Sequence, residues 1–253
     1  MRIWAIGDLH LSFGVANKSM EVFGPSWENH ARAISSHWKA VVHPEDLVLI
    51  PGDISWAMRL EDAVVDLRWI DALPGTKVMI KGNHDYWWGS LKKIAEVLPP
   101  SIHLIQNNAF HWKDVAIGGA RLWDTPEYSF GEFIDFQEPI KPRAKTPTSE
   151  EEIVQEELSQ KIFDRELERL RLSLKAMKPD AKIRIAMTHY PPIGADMELS
   201  RAAQVLEQNN IQVCVFGHLH NIKPNLSLFG EKRGVRYLLT SSDYLRFQPV
   251  AVF

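Results

Sequence analysis

The chain has 253 residues, 45% hydrophobic and 24% charged, enough for one domain with a substantial core and no staples. A formal net charge of -3 argues against a broad basic surface for duplex DNA or anionic lipid. The single cysteine, Cys214, excludes an intramolecular disulfide, and no apolar run is long enough to span a membrane, so the expectation is a cytoplasmic protein.

The first third alternates predicted strands and helices. "RIWAI", "DLVLI" and "KVMIK" are short apolar runs. Between them lie two amphipathic stretches, Ser26 to Val42 and Ala57 to Leu73, the second with Leu60, Val64, Leu67 and Ile70 at helical spacing. Strand and helix in alternation imply βαβ units with parallel pairing. "IHLIQ", "AFHW" and "VAIGG" follow with brief polar links and read as antiparallel strands. Prolines and polar residues from Thr125 to Thr148 predict a loop. Ser149 with Glu152 three residues on predicts a capping box. Phe163, Leu167, Leu170, Leu174 and Met177 then predict a long helix ending before Pro179. "KIRIAM", a helix around Leu199 to Gln208, "IQVCVF", "VRYLLT" and "PVAVF" complete the chain. The fold class is α/β, read as two sheets covered by helices. The expected organisation is a single domain over residues 1–253, with a loop-plus-helix insertion at about 125–178.

Polar residues with metal-binding chemistry fall just after five of the predicted strands. They are Asp8 and His10 in "GDLH", Asp53 in "PGDISW", and Asn83, His84 and Asp85 in "GNHD". His189 in "THYPP" and His218 and His220 in "GHLH" complete the set. Parallel strands place their carboxyl ends on one edge, where α/β proteins bind ligands. Carboxylates, imidazoles and an amide without thiolate suit Mn, Fe or Zn. Asp8, His10, Asp53, Asn83, His189, His218 and His220 exceed what one tetrahedral ion needs and suit a pair sharing a carboxylate, as used for in-line displacement at phosphorus. Singly, Asp8 or Asp53 could cap a helix. The other histidines, His30, His37, His43, His103 and His111, lie outside these clusters and read as surface or satisfied core residues.

The ordered set "GDLH … GDISW … GNHD … THYPP … GHLH" resembles the calcineurin-like metallophosphoesterase superfamily across Gly7 to His220. The resemblance implies a two-sheet β-sandwich flanked by helices with a dinuclear metal centre at the sheet edge. Asp8, His10 and His220 would bind the first ion, and Asn83, His189 and His218 the second, with Asp53 bridging. His84 would face the substrate and protonate the leaving oxygen, with Asp85 orienting it. The implied reaction is phosphoester hydrolysis by a metal-bridging hydroxide attacking phosphorus in line.

"GNHD" in place of the "GNHE" usual in the superfamily's protein phosphatases leans the reading toward phosphodiesters or small phosphorylated metabolites. The alternatives are a phosphomonoesterase or protein phosphatase, or a nuclease, which the charge balance disfavours. Lipid-sugar pyrophosphatases of the superfamily generally carry arginine where this chain keeps His84. A non-catalytic protein-binding scaffold conflicts with the full ligand set. Arg121 in "GGARLW" could hold a substrate phosphate with its planar fork or pair with a carboxylate. Trp87, Trp88 and Trp123 are expected to pack rather than to stack on a ligand. The sequence carries no signal for oligomeric state.

Overall fold

Successive residues of one strand point to opposite faces of its sheet, and that alternation sorts this chain into three apolar layers. In the computed structural model, which describes residues 1–16, 18–135 and 149–253, side chains at 23 and 149–152 excepted, Leu47 and Leu49 face inward between two sheets. Val48 and Ile50, their neighbours, face a helical layer.

The first sheet has strand order β11-β1-β2-β3-β4, from Val250–Ala251, Ile3–Ala5, Leu47–Ile50, Thr76–Met79 and Ile102–Leu104. The second has order β5-β6-β7-β8-β10-β9, from Phe110–Trp112, Val115–Ala120, Ile183–Thr188, Val213–Phe216, Val235–Leu239 and Glu231–Lys232. β1 to β4 are parallel, as are β6, β7, β8 and β10. β11, β5 and β9 join antiparallel at the margins. The sheets meet through Ile3, Leu49, Val78, Ile117, Ile185 and Val215, all buried. Helices α1 (His30–Val41) and α2 (Leu60–Asp71) cover the outer face of the first sheet with Ile34, Trp38, Leu67 and Ile70. The long helix α4 (Ser149–Lys175) and α5 (Arg201–Gln208) cover the second with Phe163, Leu167, Leu170, Ala203 and Leu206. This is the two-sheet α/β sandwich flanked by helices that the sequence predicts.

One pairing differs from expectation. "IHLIQ" is not antiparallel to its successors: β4 pairs parallel with β3 in the first sheet, and the chain then crosses to the second sheet to form the β5–β6 hairpin. The short helix α3 (Leu91–Ala95), buried through Ile94, supplies the crossover that turns β3 and β4 into another βαβ unit. Five residues are too few for a clear helical period. The first two long helices begin later than predicted, at His30 and Leu60, and 3-10 turns at Met20–Phe23 and Pro25–Trp27 precede the first. The predicted loop is irregular where described, with a 3-10 turn at Gly131–Phe133; residues 136–148 and the Ser149–Glu152 capping box lie outside the described part.

The carboxyl-terminal half of α4 is a core element. Ser173 Oγ accepts from Gly119 N (2.7 Å) and donates to Asn108 O (2.6 Å), fastening the helix across β6. A Cβ at Gly118 would lie 2.9 Å from Met177 Cε and 3.0 Å from Ser173 Oγ, so glycine is what lets the helix sit this close.

Candidate metal centre

The carboxyl ends of β1, β2 and β3 and of β7 and β8 open on the same edge of the sandwich, and the expected residues meet there. Asp8, His10 and His220 offer donor atoms that all lie within 4.8 Å of one another, and so do Asp8, Asp53 and His189. Asp53 Oδ2 is 3.7 Å from His10 Nε2, and its Oδ1 is 3.5 Å from His189 Nε2. One carboxylate thus turns an oxygen toward each group. Asn83 Oδ1 sits 2.5 Å from His189 Nε2 and 3.1 Å from His218 Nδ1, which brings the remaining candidates to the second group.

The backbone is bent to make this convergence. Asp8 (φ 54°), His10 (φ 45°), Asp53 (φ 51°) and His218 (φ 72°) all occupy the left-handed region that side chains with a Cβ disfavour. Four such residues at one spot are held by cross-bracing between loops. His218 N donates to both oxygens of Asp8 (3.1 Å each), and His84 N donates to Asp53 Oδ1 (2.8 Å). The glycines before Asn83 and His218 make room for those carboxylates. A Cβ on Gly82 would lie 2.1 Å from Asp53 Oδ1, and one on Gly217 2.2 Å from Asp8 Oδ2.

The electrostatics match a site built for cations. Asp8 and Asp53 are buried, and among the described residues no lysine or arginine pairs with either. Burial pushes Asp8 up to about 8 and raises Asp53, while it lowers His10 and His218 and takes His189 down to about 3. Both residue types are driven toward their neutral forms, and bound positive charge is what would restore the carboxylates. His10 Nε2 faces His220 Nε2 at 3.3 Å, while His10 Nδ1 is buried without a hydrogen-bond partner among the described residues. Two imidazole nitrogens this close share a hydrogen bond when one is protonated, and in their neutral forms both could turn a lone pair to a cation between them. The donors therefore suit two metal ions.

His220 also has a partner that sequence reading missed. Its Nδ1 contacts Asp243 Oδ1 at 2.8 Å, and Asp243 Oδ2 accepts from Asn221 N (2.8 Å). Burial pulls His220 down, but the hydrogen bond and charge of Asp243, with Asp8 and Asp53, outweigh it and raise the group to about 9. A carboxylate behind a ligating histidine fixes its tautomer and increases its basicity. The signal was available: "TSSDY" follows the strand "VRYLLT" and so obeys the same strand-end rule as the other clusters.

His84 lies half-buried beside the centre, its ring 4.5 Å from that of Trp56 and 5.8 Å from that of His10. Its Nδ1 has no hydrogen-bond partner among the described residues. The expected orienting contact from Asp85 is not made. The Asp85 carboxylate instead accepts from Ile54 N, Ser55 N, Gly82 N and Trp87 Nε1 at 2.8–3.1 Å. Four donors consume its capacity, so it braces the loops carrying Asp53 and Asn83 and does not hold the imidazole. Trp56, three residues after Asp53 in "GDISW", is the side chain against the ring. Trp87 and Trp88 are buried, and Trp88 Nε1 donates to Gln106 Oε1 (2.8 Å). Arg121 stacks on Trp123 (4.5 Å) and pairs with Glu166 (3.5 Å).

Two donor groups sharing Asp8 at the carboxyl edge of a two-sheet sandwich form a dinuclear metal-binding site of the kind typical of calcineurin-like phosphoesterases. The chain belongs to the calcineurin-like phosphoesterase family, whose profile matches residues 1–221. It is similar to the "Gene 66 protein" of Mycobacterium phage L5, 34% identical over 84 residues that cover 32% of this chain and 39% of that protein. In three dimensions it is similar to phosphopantetheinyl hydrolase (PptH) from Mycobacterium tuberculosis (TM-score 0.50, 15% identity, covering 98% and 95% of the two chains). It is also similar to AQ665 from Aquifex aeolicus, described as a protein of unknown function (TM-score 0.48, 15% identity, covering 99% and 95%). At that identity the likeness of PptH is one of fold. No described helix is long and apolar enough to cross a membrane.

Proposed function

We propose that the chain hydrolyses phosphodiesters or other small phosphorylated metabolites. The carrying observation is a cavity of about 640 Å³ against His218, lined by Trp123, Tyr128, Phe130 and Tyr190. That is the size and character of a small-molecule site, with aromatic walls for an organic ester group and the polar chemistry at one end.

In this reading Asp8, His10 and His220 hold one ion, Asn83, His189 and His218 the other, and Asp53 both. Bound there, the cations would supply a water of lowered pKa and neutralise charge on the phosphoryl oxygens. The protein's own residues do the rest. Asp53 keeps the two donor groups in register and accepts the His84 N–H, so the loop carrying the imidazole is fixed to the centre. The face of Trp56 limits the tilt of the His84 ring. A protonated His84 imidazole donates to the departing oxygen, which as an alkoxide is a poor leaving group. The aromatic cavity receives the ester group and excludes water from it.

The test is a panel of aryl and alkyl mono- and diesters, dinucleotides and a phosphopeptide, assayed with Mn, Fe or Zn. Turnover of diesters or small monoesters well above the phosphopeptide is the expected result. A preference for the phosphopeptide would overturn the reading.

A further inference from the structure

A second cavity, of about 330 Å³, opens on the same edge one strand further along each sheet. Its walls come from the ends of β3 and β6, the segment after β4, and α4. Among the described residues they carry Lys81, Arg121, Arg165 and Arg169, against a single lining carboxylate, Glu166. One oxygen of Glu166, itself buried, takes all three arginines: Arg169 Nη1 at 2.8 Å, Arg165 Nη2 at 3.4 Å and Arg121 Nη2 at 3.5 Å. Lys81 Nζ donates to Trp88 O at 2.9 Å. The cavity therefore carries three positive charges in excess.

A purely structural ion network balances its charges, because like charges held together in a partly buried space repel. Each guanidinium has five donors in a plane, and the contacts with Glu166 leave most of them available. Planar forks of this kind match the oxygens of a phosphate.

The cavity is also coupled to the metal centre through the backbone. Lys81 stands two residues before Asn83. Arg121 O accepts from His189 N (3.1 Å) and Tyr190 N (2.9 Å). Neighbouring strands are about 5 Å apart, so one to two strands separate cavity from centre by roughly 5–10 Å. That is the span between two phosphate groups of one small molecule.

We propose that this cavity is an anion subsite that takes a second phosphate group carried by the same substrate whose ester is cleaved at the metal centre. It rests on the esterase reading above and narrows it to substrates with two phosphates. The aromatic cavity and this one flank the centre on opposite sides of the Arg121–Trp123 stack, one for the organic part and one for the additional charge.

Two measurements on the full chain test it. In chelator-stripped protein, inorganic phosphate is titrated by calorimetry, so that binding does not depend on metal or turnover. Wild type should bind, and the double variant Arg165→Gln, Arg169→Gln should bind at least about tenfold more weakly. Both substituted heads are half-exposed on α4, and a matched thermal melt verifies the fold. No binding to wild type, or equal binding to both proteins, overturns the proposal. In metal-loaded protein, kcat/KM is compared for an aryl diester and the same diester bearing a second phosphate. Wild type should favour the second by about tenfold or more, and the variant should lose that preference through KM. An equal preference in both proteins overturns the substrate assignment, and with binding retained it gives the cavity to free phosphate. Absent turnover of both esters, with calorimetric binding intact, sinks the esterase reading and leaves the anion site standing.

Discussion

The two sides of the metal centre are built from the same residue types but backed differently. On the His10–His220 side, a carboxylate stands behind the ligand histidine: Asp243 holds His220 and helps raise it to about 9. On the other side, the partner of His189 Nδ1 is the neutral carbonyl of Pro51 at 3.0 Å, and the amide Asn83 replaces a carboxylate. Burial then takes His189 down to about 3. The first side thus presents more negative charge to an ion than the second. The lesson is that affinity for the two ions is set by the groups behind the donors as much as by the donors. The first side should hold its ion more tightly and favour the more highly charged one.

Asp53 is where the two sides meet, and its loss should have the largest effect. Asp53→Ala removes the oxygen facing each group and the acceptor for His84 N. We expect both ions to be lost and turnover to fall by on the order of 10³-fold or more, since metal charge stabilisation is worth several kcal/mol. Elemental analysis alongside the assay checks this. A variant that kept both ions would show that Asp53 is not shared.

His84 belongs to neither side, and its replacement should separate chemistry from metal holding. His84→Gln is expected to lower kcat by about 10²–10⁴-fold with metal content unchanged. The loss should grow as the leaving oxygen becomes more basic. Loss of metal in step with activity would instead make the imidazole part of the centre. Trp56→Ala should give a smaller loss in kcat, again without loss of metal, by freeing the ring that the indole now limits.

Asp243 tests the asymmetry directly. Asp243→Asn keeps an acceptor for Asn221 N but removes the charge behind His220. The first ion should bind about 10–100-fold more weakly and the second unchanged. Graded chelation followed by metal analysis would then show the two ions leaving together or in reversed order. Equal weakening of both would break the comparison.

Much of this was legible in the sequence because the site obeys a simple rule, polar residues at the carboxyl ends of parallel strands. The five clusters and their convergence follow from it, and the two-sheet α/β class follows from the succession of apolar runs and amphipathic stretches. What escaped has physical reasons. Asp243 was overlooked although it obeys the rule, since it follows a strand near the end of the chain with no histidine beside it. The resemblance implies Asp85 as the partner of His84, yet four donors from the two loops that carry Asp53 and Asn83 take its carboxylate in the packed site. Trp56 lies in the motif "GDISW", but its ring contact with His84 depends on how two loops cross. The pairing of β4 depended on the short helix α3, which periodicity cannot detect. The cationic cavity joins Lys81, Arg121 and α4, residues up to 88 positions apart, and only the folded chain brings them together.

The smallest effect we expect concerns how the first side is tied to the sandwich. Ser242 Oγ donates to Gly7 O at 2.7 Å in a fully buried setting, linking the loop that carries Asp243 to the loop that carries Asp8. Gly7 N in turn donates to Thr240 O at 2.7 Å, so Gly7 is tied to the other loop through both its N–H and its carbonyl. Ser242→Ala removes one of these ties and leaves the rest of the site in place. The cost should be about 1 kcal/mol in stability, or roughly 2–4 °C in Tm for a chain of this length. Any change in metal binding should be confined to the first ion and smaller than that of Asp243→Asn, because the charge behind His220 is kept. Thermal melts with and without chelator separate the two contributions. If Ser242→Ala loosened the second ion as much as the first, the loops would act as one unit and the asymmetry would lie in charge alone, not in how each side is anchored.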